Sequence, residues 1–409
     1  MTRIIGLDVH RTFAEVAVQE HSRVRHAGRI LTTVPALQLF ARGLTRRDHV
    51  VLEATCNTHA IARLLRAHAE RVVVSNPRQT RVIAEAKIKT DNIDAAVLIQ
   101  LHASGFLPEV WMPDEATEAL RRHVSRRAQI VRHRTRLKNQ IHAILHRNLV
   151  PRCPASDLFG LKGRAWLATQ PLPPDERAAV TSLLRALDHG EEDLTELDRG
   201  LAGAVLDDAA ARRLMTIPGV DFAVAVGIIA AIGDVSRFRS AQKLVSYFGL
   251  NPRVRQSGLH PAQHGRITKQ GRAHARGMLV EAAWAAAKTP GPLRAFFARV
   301  CARRGRQIAA VATARKLAVL VWHLLTKQQD YAWARPSLTE QKRRKLELRA
   351  GQTAYRGQRG RAHAYNLKIL RTRERAIGEQ AERAYQTLVA HWRPQPRKRG
   401  TGAANAARR

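Results

Sequence analysis

The chain has 409 residues, 45% hydrophobic and only 5% aromatic, and its 70 Lys and Arg against 33 Asp and Glu leave a formal charge of +37. That length allows two or three domains with apolar cores of their own. A field this positive repels itself unless a polyanion neutralises it, so nucleic acid is the expected partner and a purely neutral ligand is not. No run of about 18 apolar residues marks a membrane span, and Met1-Thr2-Arg3 leads straight into a strand pattern with no room for a signal peptide. Three widely spaced cysteines, Cys56, Cys153 and Cys301, argue against a disulfide framework and for a reducing cytosol.

Strand signals run over 3–9, 12–19 and 23–31, with a helix near 34–43, a strand at 49–53, a helix at about 57–68 and a short strand at 71–75. Three opening strands followed by alternating helix and strand are the layout of a ribonuclease-H-like sheet, in which the first and fourth strands are neighbours. Two apolar runs there end in an acid: Ile4-Ile5-Gly6-Leu7-Asp8 and Val50-Val51-Leu52-Glu53. An acid does not belong in a buried strand unless it is neutralised or binds a cation. Acids at the carboxyl ends of adjacent parallel strands would make a hard-oxygen cradle for Mg²⁺ (or Mn²⁺). Lys89-Thr90-Asp91-Asn92-Ile93-Asp94 reads as a helix start, with Asp91 and Asp94 on one face. Taken singly, Asp91 and Asp94 also suit a capping box, Asp8 a turn, and Glu53 a pairing with arginine. In so basic a chain the combination points to a metal site formed by Asp8, Glu53, Asp91 and Asp94.

From about 114 to 200 the spacing of Leu120, Val124, Ala128, Val131, Leu137, Ile141 and Leu145 predicts a long helix. Between them lie Arg121, Arg122, Arg126, Arg127, Arg134 and Lys138, read as a phosphate-tracking row. An acidic helix with Glu191, Glu192, Asp193 and Glu196 is expected as the return arm of a coiled-coil-like hairpin. Leu214-Met215-Thr216-Ile217-Pro218-Gly219-Val220-Asp221, followed by an apolar helix, matches a helix-hairpin-helix whose turn at Gly219 would offer backbone N–H groups to a phosphate. Beyond about 330 the chain carries basic clusters such as Lys342-Arg343-Arg344-Lys345. The expectation there is a partly helical extension with a disordered end, removable from about 335 without harm to the chemistry.

Between these helical segments lies a polar loop. In it Ser257-Gly258 is surrounded by Arg253, Arg255, Arg266, Lys269 and Arg272, with His260 and His264 as candidate bases. A serine hydroxyl is a poor nucleophile without a base or a lowered pKa. On composition alone a phosphate-binding serine is the simpler reading, although packed cations also suit an alkoxide and a scissile phosphate.

Together, Gly6-Leu7-Asp8-Val9-His10, Leu52-Glu53-Ala54-Thr55, Lys89–Ala95, Ile217-Pro218-Gly219-Val220, Phe238-Arg239-Ser240, Leu244–Leu250 and Ser257-Gly258 resemble, in order over roughly 1–325, the DEDD insertion-sequence transposases. These are relatives of the pilin-gene invertases, described as bridge-RNA-guided recombinases. The resemblance implies a RuvC-like domain at 1–110, a helical coiled-coil linker at 111–205, a transposase domain at 206–330 and the basic extension at 331–409. It implies Mg²⁺ on Asp8, Glu53, Asp91 and Asp94, and Ser257 as the nucleophile toward DNA. It further implies a structured guide RNA pairing with donor and target double-stranded DNA, and a homo-oligomer, a dimer assembling to a tetramer. No membrane partner is expected, and the site of action would be the bacterial cytoplasm, at the nucleoid. Family members usually carry Gly and an aromatic residue after the second acid, where this chain has Cys56 and His59. The rival readings are a RuvC-like junction endonuclease that uses metal-activated water and a non-catalytic nucleic-acid-binding protein.

Overall fold

The computed structural model describes residues 2–21, 23–83, 91–258, 261–352 and 367–391, without the side chains of Asp91, Asn92 and His264. The chain divides into two compact units, Met1–Asp114 and Glu115–Arg409.

The first unit is a five-stranded sheet between helices. Its strands are β1 (Arg3–Val9), β2 (Phe13–Glu20), β3 (Arg23–Leu31), β4 (Asp48–Glu53) and β5 (Arg71–Ser75), in the order β3-β2-β1-β4-β5. The pairs β1–β2 and β2–β3 are antiparallel, and β4 lies parallel to both β1 and β5. Strand alternation divides the apolar residues between two faces. Ile5, Leu7, Val9, Val16, Val18, Val50 and Leu52 pack with Leu37 and Ala41 of α1 (Val34–Arg42) and Ile61 and Leu65 of α2 (Thr58–Arg66). On the other face Val51 and Val73 meet Leu98, and Ala17 meets Ala95 and Ile99, all from α4 (Asp91–Ala103). A short α3 (Pro77–Ile83) follows β5. The start of β1 is tied down by Arg3, whose Nε and guanidinium NH2 donate to the buried Asp48 carboxylate at 3.0 and 2.6 Å. The edge strand β3 is studded with Arg23, Arg25, His26 and Arg29, charges that discourage edge-to-edge pairing.

The second unit is helical. Its longest members, α5 (Glu115–Arg147) and α7 (Pro174–Val205), are linked by ion pairs Arg127–Asp198, Arg134–Glu191 and Arg147–Glu176. These pairs descend α7 as they ascend α5, so the two helices run antiparallel. At the tip of this hairpin Ile141, Ile144 and Leu145 share a small core with Leu158, Leu167 of α6 (Leu161–Ala168), Leu172 and Val180.

The larger core gathers Val124 of α5, Leu201 and Val205 of α7, and residues of α8 (Ala209–Met215), α9 (Phe222–Ile232), α10 (Ala241–Tyr247), α11 (Ala273–Ala286) and α13 (Arg306–Lys327). Among the described residues α13 is the one helix long and apolar enough to cross a membrane. Here Ala310, Ala314, Leu317, Ala318 and Val321 bury it in this core instead.

The segment beyond 330 is part of the same body. Tyr331 and Leu346 of α14 (Pro336–Arg349) belong to the larger core. The buried Glu374 of α15 (Lys368–His391) accepts from Ser337 N at 2.8 Å, and Glu382 accepts from Arg294 Nε of α12 (Pro292–Arg304) at 2.7 Å. The extension expected to be dispensable for the chemistry from about 335 is thus packed onto the second unit: α14 covers apolar surface, and Glu382 of α15 engages Arg294 and the Gly291 N–H. The end expected to be disordered, from Arg397 onward, lies outside the described residues.

Candidate active site and nucleic-acid interface

The acidic end of the sheet is built by register. Leu7 pairs with Leu52 across the parallel β1–β4 ladder, so Asp8 and Glu53 are the next residues along, at the carboxyl ends of adjacent strands. Ile5 and Leu7 point into the α1–α2 layer, which leaves Gly6 and Asp8 on the α4 face. Gly6 carries a steric duty: a Cβ there would stand 2.2 Å from the Ala95 carbonyl oxygen and 2.9 Å from Ile99 Cγ1. Only a residue without a side chain lets α4 come so near, and Asp94 is the residue just before that contact. Asp8 Oδ2 is 3.2 Å from His10 Nε2. Behind Glu53 the chain turns tightly, with Thr58 Oγ1 donating to the Glu53 carbonyl at 3.1 Å and accepting from Thr55 N at 2.6 Å. Cys56 projects to solvent from that turn.

Register also places Glu15 of β2 opposite Asp8, an acid the sequence reading passed over. It is buried, but His26 Nε2 at 2.9 Å and Arg29 Nε at 2.7 Å engage it. The His26 hydrogen bond, reinforced by Arg29 against the opposing effect of burial, holds its carboxyl below the usual range. Glu15 is thus neutralised by the edge strand. Its only sequence signal is strand alternation, which puts it on the same face as the partly buried Asp8.

Asp8, Glu53 and Asp94 are all partly buried, and the side chain of Asp91, with residues 84–90, lies outside the described residues. Among the described residues no three carboxylate, imidazole or thiolate groups stand close enough to share one ion. The donor chemistry nonetheless fits a hard divalent cation, because carboxylate oxygens on adjacent strand ends are what Mg²⁺ prefers.

In the second unit Ser257 is exposed between β6 (Pro252–Arg255) and β7 (Gln263–Ile267), a two-stranded antiparallel arm. Two glycines set its base. Gly249 (φ 68°) would put a Cβ 2.5 Å from the Gln270 carbonyl, and Gly271 (φ 120°) 2.1 Å from the Tyr247 carbonyl. Arg276 Nη1 donates to the carbonyls of Phe248 and Lys269, both at 3.1 Å, stitching the two segments together. Arg253, Arg255, Arg266 and Lys269 are exposed along the arm. His260 and the side chain of His264 lie outside the described residues.

The cations named from sequence divide into two groups. Arg121 is directed inward: its Nε and NH2 donate to the Ala230 and Ala231 carbonyls at 2.7 and 2.9 Å, at the end of α9. Burial, with Arg272 nearby, holds its pKa below the usual arginine value. Arg272 Nε donates to the Tyr247 hydroxyl at 2.8 Å, and that hydroxyl donates to the Ala231 carbonyl at 3.0 Å. Burial pushes the Tyr247 phenol up, but Arg272, Arg121 and Arg237 together outweigh it and hold it below its ordinary value. Arg127 and Arg134 pair with the return helix, and Lys138 stands over the Phe159 ring at 4.7 Å. Arg122 and Arg126 face solvent, with Arg122 also 3.0 Å from Glu118.

Gly219 (φ 84°) is pressed against α11, where a Cβ would lie 2.3 Å from the Ala282 carbonyl. Asp221 caps α9 by accepting from Val224 N at 3.0 Å. One of the backbone N–H groups at this helix start is thus taken by a carboxylate.

An α/β unit with acids at its strand ends is followed along the chain by a basic helical unit. Two family models match in the same order. A transposase model of the DEDD, IS110 type covers residues 5–149, and the model of the transposase IS116/IS110/IS902 family covers 211–298. The chain is 23% identical to the transposase for insertion sequence element IS1111A of Coxiella burnetii, over 80% of this chain and 91% of that protein. It is 27% identical to the transposase for insertion sequence element IS1328 of Yersinia enterocolitica, over 68% and 84%. With the pilin gene-inverting protein of Moraxella bovis it shares 26% identity over 56% and 65%. The chain belongs to the IS110-type DEDD transposases, enzymes that cut and rejoin DNA. Transposase domains of this type depend on a divalent metal.

Proposed function

We propose that this transposase is an RNA-guided serine recombinase with a RuvC-like first unit. The single observation that carries the reading is the approach of α4 to Gly6, beside the paired strand ends of β1 and β4. It brings the start of α4, which carries Asp94, beside the sheet end where β1 and β4 finish in Asp8 and Glu53, and that proximity supports the reading. These four acids would hold Mg²⁺, which when bound supplies charge neutralisation at the scissile phosphate. Ser257 Oγ gives up its proton, forms the new P–O bond and displaces one strand oxygen, which leaves with a proton. Attack by the partner strand's freed hydroxyl reverses the exchange and restores Ser257. The phosphoester count is unchanged, so no nucleotide energy source is required. Arg253, Arg255, Arg266 and Lys269 would hold the backbone around an exposed hydroxyl, and a two-stranded arm of this kind suits a DNA groove.

Donor and target must be cut together, so the working form is an oligomer, a dimer assembling to a tetramer on DNA in the cytoplasm. A structured guide RNA would supply the base reading. The test is denaturing electrophoresis with labelled DNA: wild type should give a covalent protein–DNA adduct that Ser257→Ala cannot form. Free cut ends from both proteins would instead indicate hydrolysis. Sequencing the RNA that co-purifies with the protein tests the guide.

A further inference from the structure

We propose that the loop Met215–Val220 is a monovalent-cation site whose resident cation is the chain's own Lys342 ammonium. Lys342 reaches from α14 and its Nζ donates to the carbonyls of Met215, Ile217 and Val220 at 2.7, 2.8 and 2.8 Å. An ammonium has three donors, and all three are taken by this one loop. Met215 ends α8, so one of these bonds is an ordinary C-terminal cap. The other two carbonyls lie beyond the helix and turn back toward the same point. That convergence follows from the backbone: Ile217 N donates to Leu214 O at 3.1 Å, Val220 N donates to Ile217 O at 3.2 Å, and Gly219 takes the left-handed region between them.

Convergent carbonyl oxygens replacing a hydration shell are how proteins hold dehydrated monovalent cations. An ammonium and a potassium ion are close in size, so a cradle fitted to one suits the other. Without a cation, three carbonyl dipoles would face one another away from water. Burial pushes the Lys342 ammonium down to about 8, still charged at neutral pH, and the neighbouring Asp221 carboxylate opposes that fall. A cleft of about 890 Å³, lined by Asp221, Phe222, Lys342, Lys345 and Arg349, reaches the lysine. A free ion therefore has a route in once the side chain is shortened.

The site bolts α14 to the turn that starts α9. The far end of α9, about 16 Å along an 11-residue helix, receives Arg121 and Tyr247 at the base of the serine arm.

The experiment uses the full chain at pH 7 and reads thermal melting in potassium chloride and lithium chloride at equal ionic strength. Wild type should melt at the same temperature in both. Lys342→Ala should melt lower in lithium and recover at least half of the loss in potassium. Lys342→Met, whose stem fills the space without charge, should lose stability equally in both salts. Thallium NMR adds a readout independent of stability: Lys342→Ala should bind thallium(I) saturably, in competition with potassium, while wild type and Lys342→Met do not. Equal melting of Lys342→Ala in both salts, a variant unfolded in both, or thallium binding identical to wild type would each overturn the proposal.

Discussion

Gly6 and Asp8, two residues apart on one strand face, show how closely packing and chemistry are joined at the end of β1. Replacing Gly6 by Ala forces a methyl group into the Ala95 carbonyl, which should cost about 1–3 kcal/mol and displace α4. The expected outcome is a lower denaturant midpoint together with loss of cleavage. Asp8→Asn or Asp94→Asn should instead leave melting and DNA binding nearly intact while cleavage falls. Losing even an outer-shell metal partner costs about 10–100-fold, so losing a ligand should exceed that range. Retention of cleavage by either variant in a quantitative gel assay would make the acids structural. Asp48 offers a test of pH. Burial pushes its carboxyl up, but Arg3 and the Thr45 backbone outweigh burial and hold it below the ordinary aspartate range. Its folded pKa is thus depressed, so its stabilisation is fully present above the unfolded value and is lost as pH falls through the folded one. The stability gap between wild type and Asp48→Asn, measured by urea denaturation, should be constant from pH 7 to about 5 and shrink below about 4.

At the scale of elements, the antiparallel α5–α7 pair shows why a charged helix is hard to interpret in isolation. Its arginines are equally compatible with phosphate and with the acids of a return helix. The pairing Arg127–Asp198, in which Asp198 is only 9% exposed at its side chain, depends on residues 71 positions apart. The same holds for Arg121, whose carbonyl partners lie more than 100 residues away. Helices α14 and α15 make the element-scale prediction. A chain ending before Pro336 loses Leu346 from the core, Lys342 from its three carbonyls and Glu382 from Arg294. Such a chain should lose cooperative melting by circular dichroism. A truncated chain that melts as sharply as wild type would show that these helices are merely appended.

For the whole molecule the dominant property is the charge of +37. Internal ion pairs neutralise some of the cations, yet Arg122, Arg126, Arg253, Arg255, Arg266 and Lys269 remain at the surface of the second unit. Log affinity for duplex DNA should therefore fall steeply with log salt, with a slope of about −5 or steeper if about six phosphates are neutralised. Fluorescence anisotropy across a salt series measures it directly, and a slope near zero would exclude the arm and the basic helix as backbone contacts. Charge reversal at Arg253 and Arg255 should flatten the slope by about 2.

Much of this was legible in the residues alone, because strand and helix periods are local properties of the chain. Asp8 and Glu53 stood out as acids ending apolar runs, and alternation settled which residues share their face. Ser257 stood out as a hydroxyl among cations beside glycine. Other features depend on which segments become neighbours, and no local pattern carries that information. Glu15 sits opposite Asp8 yet is neutralised by His26 and Arg29 of an edge strand. Gly219 packs against α11, Lys342 reaches 122 residues back to Val220, and Arg121 closes the end of α9. A charge's identity is written in the sequence. Its partner is chosen by tertiary packing, because burial makes an unpaired charge or carbonyl too costly to leave alone.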